Sequence, residues 1–168
     1  MKNSSKYFNL FFLLNTFCLI FPALAEERQE VSKSGEEITM NELEIAFQKR
    51  LTECIFAGEW NLVQDGKMGP WKKDKYTIQS ATKTGEDKWV IVSRVQFGSV
   101  DVNLPITVNV FWAGDTPVIS VTDLDFPGGN TYTARVLVYK DTYAGSWFGK
   151  GYGGQMTGVI FDQPKEEE

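Results

Sequence analysis

VDVNLPITVNVFW, residues 100–112, reads as one long strand. Val102, Leu104, Ile106, Val108, Val110 and Trp112 alternate with Asp101, Asn103, Pro105, Thr107 and Asn109. A period of two places the first set on a core face and the second in water. Pro105, on the wet side, has no N–H to give to a ladder, which assigns it to an edge, a bulge or a strand's beginning. The same alternation, less pure, recurs in KYTIQSAT (75–82), KWVIVSRVQF (88–97), TPVISVTDL (116–124), TYTARVLVY (131–139) and QMTGVIF (155–161). The words AGEW (57–60) and AGSW (144–147) open two more. Between them lie turn residues such as Asp65-Gly66, Gly98-Ser99, Gly114-Asp115 and Gly128-Gly129-Asn130. Eight strands at short, regular spacing with no helix between them predict an all-β fold. The expectation is an eight-stranded antiparallel up-and-down barrel, or a closely related sandwich, with one N-terminal amphipathic helix. Closure would place the strand at Gly58 beside one near Gln155 or Gly145.

The N-terminus has a different character. Lys2 and Lys6 precede an apolar run from Phe8 to Phe21, then Pro22 and the small exit Ala23-Leu24-Ala25. This is the build of a secretory signal cleaved after Ala25, and it predicts a secreted or periplasmic protein with no stable membrane insertion once the signal is removed. Residues 26–37 are charged and aperiodic and read as a flexible leader. Residues 38–162 form one β-barrel-like domain in this reading, and 163–168 an acidic tail. Inside the domain, Thr39 and Glu42 have capping-box spacing, and Leu43, Phe47, Leu51, Cys54 and Ile55 recur at helical intervals, so a helix is expected over about 39–55. Its polar face would carry Glu42, Glu44, Lys49 and Arg50.

Charge and composition exclude several functions. Without the first 25 residues, 15 basic side chains face 22 acidic ones, a net charge of −7. Such a surface repels nucleic acid and anionic lipid. Cys54 alone then remains, so the fold has no internal disulfide to lean on, and on an apolar helix face the thiol reads as buried and inert. Histidine is absent from the chain, which removes His-dependent triads and HExxH zinc sites; no metal or other cofactor is called for. Gly149, Gly151 and Gly154 spell G-x-G-x-x-G, but a strand pattern follows them where dinucleotide binding requires a helix, so a hairpin is the better reading.

Residues that remain as candidates are aromatic or charged. Five tryptophans are many for this length; Trp89 and Trp112 share faces with aliphatics and read as core, while Trp71 reads as exposed. Trp60, Trp147 and Tyr152 are the candidate ligand contacts near a barrel mouth. Arg135 lies inside an otherwise apolar strand, and turned into a lumen it would anchor an anionic head group. Asp123 and Asp125, with Asp115, are the acids a polysaccharide hydrolase would use, provided two of them lie roughly 5 to 9.5 Å apart in one cleft.

Gly58-Glu59-Trp60 and Gly145-Ser146-Trp147 give a G-x-W that resembles the word opening the first strand of lipocalin, fatty-acid-binding and avidin barrels, the calycin-like folds. The arginine that lipocalins carry on the last strand is missing from QMTGVIF. The longer strings FWAGDTPVISVTDLDFPG and YTARVLVYKDTYAGSWFGKGYGGQMTGVI resemble an uncharacterised family of small secreted bacterial proteins of planctomycete type, a resemblance that implies no activity. Fold signature, aromatic load and missing catalytic groups together point to an exported, non-enzymatic protein binding a small apolar or saccharide ligand in a barrel. Two alternatives stand beside it: a structural or inhibitory module contacting another exported protein, and a carboxylate-dependent polysaccharide hydrolase.

Overall fold

The computed structural model describes residues 39–127 and 129–165. The signal segment, the leader and the last three residues of the tail lie outside the described residues. One helix, α1 (Glu42–Leu51), precedes ten strands: β1 (Cys54–Trp60), β2 (Val63–Gln64), β3 (Lys67–Met68), β4 (Lys72–Lys83), β5 (Lys88–Phe97), β6 (Val100–Ala113), β7 (Thr116–Phe126), β8 (Asn130–Tyr139), β9 (Thr142–Gly149) and β10 (Tyr152–Asp162). Eight of them form an antiparallel barrel in the order β1-β4-β5-β6-β7-β8-β9-β10, and β10 closes it by pairing with β1, Gly58 opposite Gly158. The short β2–β3 hairpin hangs from β10 through Val63 and Gly153. The glycine-rich loop is the tight β9–β10 turn, with Gly151 at φ 80°.

Alternation decides which residues fill the barrel. On β5, Trp89, Ile91, Ser93 and Val95 are buried, and on β6 Val108 and Val110, while Asp101, Asn103, Pro105 and Thr107 are exposed. The exposed register of β6 also explains its proline. Asn109–Ala113 pair with Ser120–Thr116 of β7, but no pairing joins β6 before Asn109 to β7 beyond Ser120. There β6 is held only by β5, and β7 bulges between Val121 and Leu124 with Asp123 at φ 50°. Pro105 thus sits on a local edge, where a missing N–H costs least.

The helix departs from expectation at both ends. Asn41, not Thr39, is the N-cap: its side chain accepts from the Glu44 N–H at 3.0 Å, and the Glu44 carboxylate accepts from the Asn41 N–H at 3.0 Å. Glu44 leaves the polar face altogether, buried in an ion pair with Lys83 of β4 at 2.8 Å. The helix ends at Leu51 because Thr52 is extended and Glu53 takes φ 56°. Cys54 and Ile55 fit a helical period equally well, but pairing of Cys54 with both Ile78 and Asp162 draws them into β1.

α1 stoppers one end of the barrel. Phe47 packs edge-on against Trp89 at 5.1 Å and Trp112 at 6.0 Å, and Leu51 is fully buried. Burying each such side chain contributes about 1.5–3 kcal/mol. Polar contacts fix the helix's orientation: Gln48 Nε2 donates to the Ala81 carbonyl at 2.9 Å, and Arg50 donates to Asp141, Asp162 and the Ile160 carbonyl. Cys54, buried beneath this cap, has its thiol pushed up to about 11 by burial, which leaves it un-ionised and inert.

Candidate functional site in the barrel

Away from α1 the interior is not filled. A cavity of about 400 Å³ lies between the strands, lined by side chains of every barrel strand and almost wholly apolar. Its size falls within the roughly 300–1,000 Å³ of small-molecule sites. Phe56, Ile78, Ile91, Val108, Ile119 and Val136 form the deeper wall. Toward the mouth the wall is aromatic: Trp60, Phe97, Phe126, Tyr132 and Trp147 follow one another in a closed ring with centroids 5.4 to 6.3 Å apart. Tyr152 leans on Trp147 and donates its hydroxyl to that of Tyr132 at 3.2 Å; this bond is the main reason the Tyr132 phenol is pushed up to about 12. The Phe97–Phe126 contact spans the stretch where β6 and β7 do not pair, flanked by Ile106 and Val121.

Glycine decides part of this shape. Gly58 and Gly158 face each other across β1 and β10, and a Cβ on either would strike the Tyr143 ring or its hydroxyl. With both side chains absent, Tyr143 lies across them, stacks on Phe56 at 5.0 Å and donates its hydroxyl to Asp74 Oδ1 at 3.0 Å. Tyr76 donates to Asp74 Oδ2 at 3.3 Å. Burial pushes the Asp74 carboxyl up despite these two donors, and it drives both tyrosine phenols above their ordinary range. Gly145 of AGSW is needed for close approach instead, since a Cβ there would strike the Arg135 carbonyl on β8.

Polar groups near the cavity divide into two kinds. Those of Asp74, Tyr76 and Tyr143 satisfy one another, and the Ser93 hydroxyl is within reach of the Thr77 and Arg94 carbonyls. The indole N–H groups of Trp60 and Trp147 are buried and meet no acceptor among the described residues. Each such donor costs about 1–3 kcal/mol while unpaired. Lys72 lies over the Trp60 ring, its Nζ 5.0 Å from the centroid.

No family model, curated protein or solved structure matches this chain. Its eight antiparallel strands are compatible with the calycin-like fold that G-x-W implies. The resemblance to a secreted bacterial family receives no such support.

Three of the four residues proposed as contacts meet at the cavity: Trp60, Trp147 and Tyr152. Arg135 does not, and its candidate role as a ligand contact is corrected. It is on the outer face, donating to the Val121 and Ala134 carbonyls and to Thr122 Oγ1, where it braces the bulge of β7. Its strand is apolar on both faces at this point, with Leu137 and Tyr139 outside and Val136 and Val138 inside, so alternation alone could not say which face was lumenal. Arg94 is likewise external, paired with Asp101 at 2.7 Å. Asp123 and Asp125 are exposed, and each accepts from a β8 threonine, Thr133 and Thr131 respectively. Asp115 lies eight residues back along β7's direction, roughly 26 Å away, too far to share a cleft with them. The residues missed by sequence reading are Phe97, Phe126 and Tyr132. Phe97 and Phe126 were marked only by their position beside the Gly98 and Pro127 turns, at the same end of the barrel as Trp60.

Proposed function

We propose that this protein is an exported binding protein that holds a small apolar ligand inside its barrel. The observation that carries this reading is the cavity of about 400 Å³ with a near-continuous hydrocarbon and aromatic lining. An apolar cavity of roughly 150 Å³ already suffices to bind benzene, so one larger than that suits a longer or multi-ring guest. The lining also selects between the two ligand classes that the composition left standing. A saccharide would bring several hydroxyls to a wall that is almost wholly hydrocarbon and aromatic, and each left without a partner costs about 1–3 kcal/mol. An apolar ligand suffers no such loss. The signal-like N-terminus supports export.

Asp115, Asp123 and Asp125 line no part of this cavity, which weighs against a carboxylate hydrolase acting in it. A filled interior together with a large outer apolar patch would favour the interaction-module reading; the cavity favours ligand binding instead.

The test is titration with a neutral apolar dye such as Nile red, followed by the dye's blue shift and by quenching of tryptophan fluorescence. Saturable one-to-one binding is expected in the wild type. Ala134→Phe, which fills the cavity from the β8 wall, is expected to weaken binding by roughly tenfold or more. Absence of saturable binding by the dye and by a panel of lipids, retinoids and haem would overturn the reading.

A further inference from the structure

On one side of the mouth the barrel wall runs on past its rim. After Trp60 the chain stays beside β10, with the Asn61 N–H donating to the Gln155 carbonyl and Val63 opposite Gly153. It then turns back through Asp65-Gly66, both at positive φ, the conformation that a two-residue hairpin turn requires. β9, β10, β2 and β3 thus stand side by side as a tongue at the mouth. This tongue is apolar where water reaches it: Leu62, Val63, Met68, Trp71, Phe148 and Tyr152 are all exposed, Met68 at 62%. Phe148 lies over Gly153, next to Val63, and Val63 is paired with Met68. Leu62 and Tyr152 also line the cavity, so the outer apolar surface is continuous with the interior. Apolar residues exposed singly need no explanation, but a contiguous group of them marks an interaction surface.

The charge around the tongue runs against that of the whole chain. Residues 61–73 hold Lys67, Lys72 and Lys73 against one acid, Asp65, and Lys150 is in the β9–β10 turn. All four lysines are exposed, and among the described residues none is in a salt bridge. Glu59 stands opposite Lys73 across β1 and β4 and offsets only that one. The turns at the α1 end carry Glu53, Glu86, Asp87, Asp115 and Asp141 instead. A ten-residue strand such as β8 spans roughly 30 Å, against a screening length of about 8 Å at physiological salt, so those acids are scarcely felt at the mouth. The net negative charge that argues against anionic lipid is therefore an average over two unlike ends. We infer that the mouth end docks peripherally on an anionic lipid bilayer: Val63, Met68 and Trp71 enter its interfacial layer, and Lys67, Lys72, Lys73 and Lys150 meet the head groups. Protein partners bury surfaces depleted in lysine, whereas here lysines flank a narrow apolar projection, which selects the bilayer as the occupant. Docking sets the cavity mouth against the lipid; its use in passing an apolar ligand between bilayer and barrel rests on the reading of the cavity as a binding site.

The experiment is co-sedimentation of the chain processed after Ala25, which lacks the apolar N-terminal run, with vesicles of phosphatidylcholine alone or with about 30% phosphatidylglycerol. Binding is expected to be roughly tenfold or more tighter to the anionic vesicles and to weaken as salt rises. Lys67→Glu and Lys150→Glu are each expected to weaken it by roughly fivefold or more, while Lys88→Glu, the same charge change on an exposed residue at the α1 end, alters it by less than about twofold. Met68→Ser, at a position with little packing to lose, is expected to weaken it by roughly fivefold. Lipid with brominated acyl chains is expected to quench part of the tryptophan emission, a part that disappears in Trp71→Phe. Binding to neither vesicle, equal binding to both, or equal losses in Lys67→Glu and Lys88→Glu overturns the inference. So does self-association of the free protein that Met68→Ser abolishes, since the tongue is then a contact between copies. None of these outcomes touches dye binding, which tests the cavity reading separately; failure of the dye with vesicle docking intact overturns that reading and leaves the docking standing.

Discussion

Replacing Lys83 by methionine isolates the electrostatics that dock α1 on the barrel. Lys83 Nζ meets both oxygens of Glu44 at 2.8 Å, with side-chain exposures of only 9% and 10%. At that burial the pair escapes most of the solvent screening that makes surface bridges weak. Burial by itself would raise the Glu44 carboxyl, but the hydrogen bonds from Lys83 and from the Asn41 N–H, with the lysine's charge, outweigh it and hold the carboxyl below the ordinary value of 4.5. In Lys83→Met the buried carboxylate loses its counter-charge. It has one escape, which is to bind a proton, and at pH 7 that costs about 1.36 kcal/mol for each of the 2.5 units separating pH 7 from 4.5. The charge contribution to the loss is therefore capped near 3.4 kcal/mol at pH 7. At pH 5 the same cap falls to about 0.8 kcal/mol. The sign is opposite in the two proteins. The wild type's depressed carboxyl contributes stability above the ordinary glutamate range and loses it as pH falls, whereas the variant's penalty is greatest at neutral pH and shrinks on acidification. Urea denaturation of both proteins at pH 7 and pH 5 measures it. The expected loss is about 2–3.4 kcal/mol at pH 7, mostly abolished at pH 5, and largely recovered at pH 7 by adding Glu44→Gln. A loss that is the same at both pH values, or below about 0.5 kcal/mol at pH 7, would show that the pair behaves as a solvated surface bridge and refute the reasoning.

Gly58→Ala tests the seat of Tyr143: its Cβ would meet the Thr157 carbonyl, the Tyr143 hydroxyl and the Gly158 Cα, and a loss of about 1–3 kcal/mol or more is expected in thermal or urea unfolding, with near-wild-type stability counting against the packing described. Tyr143→Phe removes the donor to Asp74 Oδ1 and is expected to cost about 1–3 kcal/mol at pH 7. Because burial already raises the Asp74 carboxyl and losing a donor raises it further, the deficit should narrow as pH falls and the group takes up a proton; a deficit that widens on acidification would rule this account out.

The barrel was legible because alternation is a local signal and closure follows from it. Val102 to Trp112 name one face without help from any other strand, and eight such segments with tight turns leave few ways to bury eight faces. What escaped was whatever depended on partners distant in sequence. Glu44 looked like a helix surface residue until β4, some forty residues later, presented Lys83 to it. Arg135 could be set on either side of the wall, because its strand has two apolar faces. The outer one belongs to a row in which Phe111, Val118 and Leu137 sit opposite one another on β6, β7 and β8. Pro105 was readable as an edge signal, but only pairing shows that the edge is internal, where β6 and β7 part within a closed barrel.

The cavity itself was the least legible feature, because it depends on a difference between the barrel's two ends. Both ends are rich in large side chains, yet at one of them Phe47 and Leu51 enter from α1 and complete the filling around Trp89 and Val110. At the other no helix of the described residues enters. There Trp60, Phe97, Phe126, Tyr132 and Trp147 use their bulk on one another around the rim. Aromatic rings packed in tilted and edge-to-face pairs are poor at collapsing inward, since each movement that fills the space breaks contacts with two neighbours. The G-x-W word therefore combines two structural roles in three residues: its glycine admits Tyr143, and its tryptophan joins the aromatic rim of the cavity.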